Sequence, residues 1–201
     1  PTILMSTFAS WQEIYGWWWG LAEDKIQADD AIREKVNELT KGLSAVKDKA
    51  AAIHAFCAKD IRYVAVEYGQ AGYEPHRAAD VFRNKYGDCK DQAVLLVAML
   101  RLAGCKAWPV LIPTKDYLAL NEDFPSMLFN HAIACVEVDG KTVFMDPTAE
   151  TCAFSDLPSG DQRRAVLVVR EDGYSIGATP LFAAEHNRAR QTLSITVTED
   201  E

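Results

Sequence analysis

Three side chains in this sequence could together perform covalent chemistry: the thiol of Cys89, the imidazole of His131 and the carboxylate of Asp146. A nucleophile, a base and a group that orients the base are the parts needed for acyl transfer. Cys89 lies in Tyr86-Gly-Asp-Cys-Lys-Asp-Gln92, where a turn becomes a long apolar helix. Gly87 permits a sharp backbone approach, and Asp88 is a good N-cap. Asp91 follows three residues later, close to a capping-box spacing. The periodicity predicts a helix with Ala93, Leu96, Val97, Leu100 and Ala103 on one stripe, stopping at Gly104. Cys89 then occupies the first turn, where free N–H groups and the helix dipole favour a thiolate and can also hold an oxyanion. Asp88 and Asp91 oppose the thiolate with negative charge, and Lys90 and the helix terminus counter them. Asp88 reads mainly as a cap.

The base and its orienter come from a hairpin. Asn130-His-Ala-Ile-Ala-Cys-Val-Glu-Val138 and Lys141-Thr-Val-Phe-Met-Asp-Pro147 flank Asp139-Gly140, a strong two-residue turn signal. Such a turn pairs Val138 with Lys141 and, carried along the ladder, sets Asp146 opposite Ile133. His131 shares a face with Ile133, because strand side chains alternate. His131 and Asp146 are therefore diagonal neighbours within reach of each other. A slip of one residue would separate them.

The elements around these residues can be read in turn. A helix over 10–24, led by Trp11, Ile14, Trp18 and Leu21, is weakened by Gly16 and Gly20. Of the Trp17-Trp18-Trp19 run, two indoles are expected on the core and one half-exposed, a packing feature before a membrane or sugar site. A second helix over 29–41 ends at Gly42, and Ser44 is expected to cap a third that runs to Lys59. Ile61–Val66 alternates as a strand, 69–75 is a loop, and 77–85 is a short helix leading to the Cys89 turn. Lys106–Ile112 reads as a strand in which Pro109 argues for an edge or a bulge. The stretch 113–129 is a long loop directly before His131, as a lid or binding loop would be. A strand at 165–169 and a hairpin at Asp172-Gly173 follow, and Gln191–Thr198 alternates as a last strand. Helices followed by a mostly antiparallel sheet make the fold class α+β. The expected organisation is a helical lead-in (1–43), a catalytic core (44–180) and a C-terminal strand (181–201) that leads toward another domain.

Composition narrows the field. The chain has 201 residues, 49% hydrophobic, enough for one well-filled core. Its formal net charge of -8 and lack of basic clusters argue against a nucleic-acid partner. No apolar run approaches the roughly 18 residues needed to cross a bilayer, and no signal peptide is visible. The start at Pro1 and the acidic end Glu199-Asp-Glu201 read as the bounds of a piece cut from a longer protein. The five cysteines contain no CxxC pair, so neither a zinc framework nor a disulfide scaffold is implied. Cys57, Cys105 and Cys135 sit among apolar neighbours as core residues.

The segments Tyr86-Gly-Asp-Cys-Lys-Asp91, Met99-Leu-Arg-Leu-Ala-Gly104, Phe129-Asn-His131 and Met145-Asp-Pro-Thr148 resemble the transglutaminase-like superfamily of papain-like folds, and most of all its bacterial core domains. The resemblance covers residues 45–150. It implies Cys89 as nucleophile, His131 as general base and acid, and Asp146 as orienter, with a thioester intermediate and no metal or organic cofactor. It also implies a second oxyanion donor upstream of the nucleophile, for which Gln70 is the candidate. The substrate would be a peptide, protein or cell-wall amide. The periplasm or cell envelope is the implied location, with membrane contact only through parts of the parent protein outside this chain. Water as acceptor would make the chain a peptidase or amidase, and an amine would make it a crosslinking transglutaminase. A peptide- or glycan-binding module on the same fold is the rival from another class. His54 reads as structural, His76 as a cap at a loop–helix boundary, and His186 as solvated.

Overall fold

The computed structural model of the chain describes residues 3–65, 69–188 and 190–196. Its centre is the helix that begins at the nucleophile candidate. This helix, α5 (Cys89–Leu102), follows α1 (Trp11–Ala22), α2 (Asp30–Leu39), α3 (Val46–Asp60) and α4 (Ala78–Asn84). Every residue of α5 from Cys89 to Leu100 is buried. The expected single apolar stripe is thus a correction: α5 is enclosed on all sides. The helices α2, α3 and α4 pack on one flank, and the strands β3 (Ala107–Ile112) and β4 (His131–Val138) cover the other. Leu95, Leu96, Met99 and Leu100 are fully enclosed there. The helix ends as its sequence requires. Gly104 takes a φ of 79°, the Cys105 N–H donates to the Leu100 carbonyl, and the Gly104 N–H donates to the Arg101 carbonyl, the paired bonds of a Schellman cap.

The N-terminus of α5 is fixed more tightly still. The Asp88 side chain accepts from the Asp91 N–H while the Asp91 side chain accepts from the Asp88 N–H, a full capping box. Asp91 also accepts from the His76 backbone N–H (2.7 Å) and meets its Nδ1 at 3.0 Å. His76 is therefore a partner of the Cys89 turn, not the cap of α4, whose N-cap is Arg77. Two short strands, β1 (Arg62–Tyr63) and β2 (Tyr86–Gly87), pair in parallel and tie the end of α3 to the residues before Cys89. The expected strand over 61–66 shrinks to this pair, and Val66 lies outside the described residues.

Gly87 is where that junction is closest. A Cβ there would stand 2.6 Å from Asp91 Cβ and 3.2 Å from Val81 Cγ1. Gly87→Ala is expected to push Asp91 off the capping box and to lower stability by about 1–3 kcal/mol, the usual cost of overpacking. Urea unfolding measures this, and an unchanged midpoint would mean that the turn relaxes freely.

The main sheet has the strand order β5-β4-β3-β6-β7, antiparallel throughout, with β5 (Lys141–Met145), β6 (Ala165–Arg170) and β7 (Gly173–Ala178). The β4–β5 hairpin takes the expected register, with Val138 opposite Lys141. Asp139 and Gly140 have φ values of 50° and 74°, the left-handed pair that a type I′ turn demands. Pro109, expected at an edge or a bulge, lies instead in the central strand, in an unbroken register opposite Ala134. The ladder from β3 to β6 runs over Val110 and Leu111 only, beginning just past the proline, which spares it a missing donor. The second hairpin turns at Glu171-Asp172, one residue earlier than expected. Residues 191–196 form no strand, which corrects that expectation, and Thr198 lies outside the described residues.

Two further expectations shift. Ala45, not Ser44, is the N-cap of α3, and it makes no side-chain cap bond. Trp18 is buried, Trp19 is half-buried, and Trp17 is exposed with its ring against Tyr73 at 5.3 Å, as the packing reading of the three indoles required. No helix among the described residues is long and apolar enough to cross a membrane.

Candidate active site

Cys89 and His131 line a cavity of about 400 Å³ together with Trp18, Tyr73, Met127 and Phe129, and Asp146 is buried beside His131. Three elements supply the three candidate groups. Cys89 opens α5, His131 opens β4, and Asp146 directly follows β5. The His131 Nε2 lies 3.1 Å from Asp146 Oδ2. With Nε2 engaged, the other ring nitrogen, Nδ1, remains for the Cys89 thiol, whose proximity helps to raise the imidazole pKa. The imidazole thus stands between the thiol and the carboxylate.

Charges in this chain are coupled. Burial alone would depress the His131 pKa. The hydrogen bonds to Asp146 and Cys89 and their negative charges outweigh it and hold the imidazole well above the usual histidine range. Burial likewise works to raise the Asp146 pKa. The bond and charge of His131, followed by the Thr148 donors, bring it below the usual carboxylate range. Asp146 Oδ1 accepts from both the N–H and the hydroxyl of Thr148, each at 2.8 Å. Its backbone carbonyl meets His54 Nε2 at 3.0 Å. His54 is thus structural, as expected, and its task is to seat the Asp146 main chain.

Beside the nucleophile, Lys90 is buried and forms an ion pair with Asp88. Burial raises the Asp88 pKa, and the Lys90 hydrogen bond opposes this. Lys90 therefore neutralises the cap. The backbone N–H of Cys89 belongs to the unpaired first turn of α5 and can face an oxyanion. Gln70, the candidate for the second donor, sits exposed in a 3-10 turn, Gly69–Gly72. Its neighbours Gly69, Gly72 and Tyr73 line the cavity, and the Gln70 side chain is not among the described lining groups. The structure brings the first three candidates together and leaves Gln70 at the rim.

The loop over 113–130 borders the cavity through Met127, Phe129 and Asn130. It is pinned at several points. Trp11 Nε1 donates to the Glu122 carbonyl at 2.7 Å, and the Trp11 and Phe129 rings stand 6.3 Å apart. The Lys115 N–H donates to the Gly160 carbonyl, and the Asn130 side chain clasps Thr114 through two 2.9 Å bonds. Asn130 therefore fastens the ends of the loop just before His131. The roles of Trp18 in the cavity, of His54 on Asp146 and of Asp161 nearby were not apparent from the sequence. No local pattern links these residues to the site, although Trp18 and Thr148 stood within segments singled out beforehand.

The sequence profile of the transglutaminase-like superfamily matches residues 33–147, a span holding all three reacting groups. Among solved structures, a candidate protease of Parabacteroides distasonis is similar to the chain with a TM-score of 0.65 at 16% identity, covering 87% of this chain and 32% of that protein. A candidate cysteine protease of Cytophaga hutchinsonii has a TM-score of 0.47 at 17% identity, covering 73% and 45% respectively. A structure described as a TGase has a TM-score of 0.38 at 16% identity, covering 74% and 36%. No curated protein matches the sequence.

Proposed function

The chain belongs to the transglutaminase-like superfamily, and from that premise we propose that it is a cysteine-dependent acyl-transfer enzyme that opens amide bonds. Its α+β architecture is the papain-like transglutaminase core. The observation that carries the proposal is that Cys89 and His131 line one open cavity while Asp146 is bonded to the other nitrogen of that imidazole. The Cys89 sulfur attacks the amide carbonyl while His131 holds the thiol proton. The carbonyl oxygen takes up negative charge facing the α5 N-terminus. As the C–N bond breaks, His131 gives its proton to the leaving amine, and a thioester remains. A water, deprotonated by His131, then attacks the thioester carbonyl. The C–S bond breaks, the thiol is restored, and a carboxylic acid leaves. Asp146 fixes the imidazole throughout. A lysine amine in place of water would make the same site a crosslinking enzyme. We assign hydrolysis, since water enters any open cavity.

The substrate we propose is a peptide, protein or cell-wall amide, met in the periplasm or cell envelope. Trp18, Leu111, Met127 and Phe129 form the apolar part of a mixed lining that also holds Lys90 and Asn130, and that part suits an apolar side chain next to the cleaved bond.

Selective alkylation tests the assignment. Burial raises the thiol pKa of Cys57, Cys105 and Cys135, that of Cys135 to about 12. Burial and the Asp146 charge also raise that of Cys152. Cys89 alone stands on a helix N-terminus against an imidazole. Limited iodoacetamide treatment near neutral pH, followed by peptide mapping, is expected to label Cys89 first. Earlier labelling of the more exposed Cys152 would remove the nucleophile from the mechanism. A binding module would show an inert Cys89 and no trapped acyl group after incubation with peptides or cell-wall extract.

A further inference from the structure

A second carboxylate lies against the first. Asp161 is buried at 2% exposure, and its carboxylate, the Asp146 carboxylate and a His131 ring nitrogen lie within 4.8 Å of one another. Asp161 Oδ2 meets no donor among the described residues. Its close partner is the Asp146 carboxylate, which as an anion can only accept. Two bare carboxylates in a buried site would leave an acceptor facing an acceptor and two like charges in contact, with neither solvated by water. One proton between them removes both problems, since a neutral acid is a donor.

The proton belongs on Asp161. Asp146 already accepts from Thr148 N–H, Thr148 hydroxyl and His131 Nε2, all of which favour its anion. A carboxylate offers about four lone-pair positions, so one is left for a fourth donor. Asp161 Oδ2 has no donor among the described residues, and burial followed by the Asp146 charge pushes its pKa up, against the pull of His131, to about 7. The charged or titratable groups facing it are His131 from β4, Asp146 after β5 and Cys152 from the following loop.

The segment that carries Asp161 is built to hold position. It forms a short 3-10 turn, Ser159–Asp161, ahead of β6. The Asp161 carbonyl accepts from the Thr179 hydroxyl. The next residue, buried Gln162, donates to the Leu157 carbonyl at 2.9 Å and to Asn187 Oδ1 at 2.8 Å. The Gly160 carbonyl accepts from Lys115 of the cavity loop at 2.8 Å. This many anchors would be needless for a surface acid.

We propose that Asp161 is a positioning residue for the reaction: as the neutral acid it donates a hydrogen bond to the Asp146 carboxylate and so holds Asp146 against His131. The proposal rests on the reading of Cys89, His131 and Asp146 given above. Loss of the Asp161 proton would place a second negative charge beside the imidazolium and turn a donor into a repelling acceptor. The geometry of the Asp146–His131 pair would then change with pH from a group that never touches the substrate.

The test uses the intact chain, its Asp161→Asn and Asp161→Ala variants, and three readouts. Infrared difference spectra between pH 5 and pH 9 are expected to show the C=O band of a buried protonated acid in the wild type, lost as pH rises and absent from Asp161→Asn. The His131 ring resonances are expected to show an added inflection near neutrality that Asp161→Asn removes. Iodoacetamide alkylation of Cys89 is expected to slow roughly 10-fold in folded Asp161→Ala, the worth of one hydrogen bond to a charged group. Asp161→Asn is expected to restore it to within about threefold, because its amide N–H donates in place of the acid. Absence of the acid band, or Asp161→Asn as slow as Asp161→Ala with both folded, would overturn the proposal. An inert Cys89 in the wild type would instead bring down the underlying reading. The infrared band would still decide where the proton sits.

Discussion

Cys89→Ala is expected to remove all covalent turnover, a loss of about 10⁶-fold, because no other group can form the thioester. His131→Ala is expected to lose nearly as much. Its imidazole serves as base in one half of the reaction and as acid in the other, and it lines the same cavity as the thiol. The double variant is expected to fall little below Cys89→Ala alone, since the groups act as a unit and their losses are not additive. The residue of activity in all three would come from binding and the helix-terminus N–H groups. Turnover is read as release of amine from the peptides trapped on wild-type Cys89, beside circular dichroism for the fold. All three variants are expected to stay folded, because both side chains face the cavity, whereas the core is carried by fully enclosed residues such as Leu96 and Met99. A folded Cys89→Ala protein with wild-type turnover would end the thiol mechanism.

How far the site could be read beforehand depends on the range of the forces that build it. The capping box of α5 and the Asp139-Gly140 turn are local, and each is written in four or five neighbouring residues. The hairpin register follows from the turn, and with it the 3.1 Å contact of His131 with Asp146. The strand assignment of Pro109 failed in position because its neighbours in the sheet come from residues 131–138 and 165–170, which no local pattern announces. The stripe on α5 failed for the same reason. A helix enclosed by three helices and a sheet needs no polar face, and an apolar run cannot say how many partners will cover it. Ser44 failed as a cap because the helix starts one residue later, and such boundaries are settled by packing. His54 and Asp161 escaped notice for a different reason. His54 meets Asp146 across 92 residues and Asp161 from a segment with no hairpin turn to set its register, and a buried polar residue has no sequence signature of its own. What the motif supplied was the reacting set; what only the fold supplied was the shell that holds it.

That shell makes the outcome of Asp146→Asn specific. The amide can place its oxygen toward His131 or toward Thr148, but not both. With the oxygen on Nε2, its NH₂ meets the Thr148 N–H, donor against donor, where a 2.8 Å bond stood before. With the oxygen on Thr148, the NH₂ faces Nε2 and forces the wrong tautomer, so Nδ1 toward Cys89 carries the proton and cannot act as base. Either orientation loses the negative charge that helps hold the imidazole above its ordinary value of 6.5. Turnover is expected to fall roughly 10³–10⁴-fold, less than for Cys89→Ala. The pH dependence of stability follows in sign. His131 has a raised folded pKa, so its contribution is complete below 6.5 and fades as pH rises through the folded value. Asp146 has a lowered folded pKa, so its contribution is complete above 3.8 and fades as pH falls through the folded value. Both contributions are therefore whole between 3.8 and 6.5, and in that window Asp146→Asn is expected to lose the most stability relative to wild type. Thermal melts at pH 5 and pH 10 measure the difference. A deficit that is larger at pH 10 would mean that the His131–Asp146 pair is not the charged one, and the imidazole would have to be oriented by something other than Asp146.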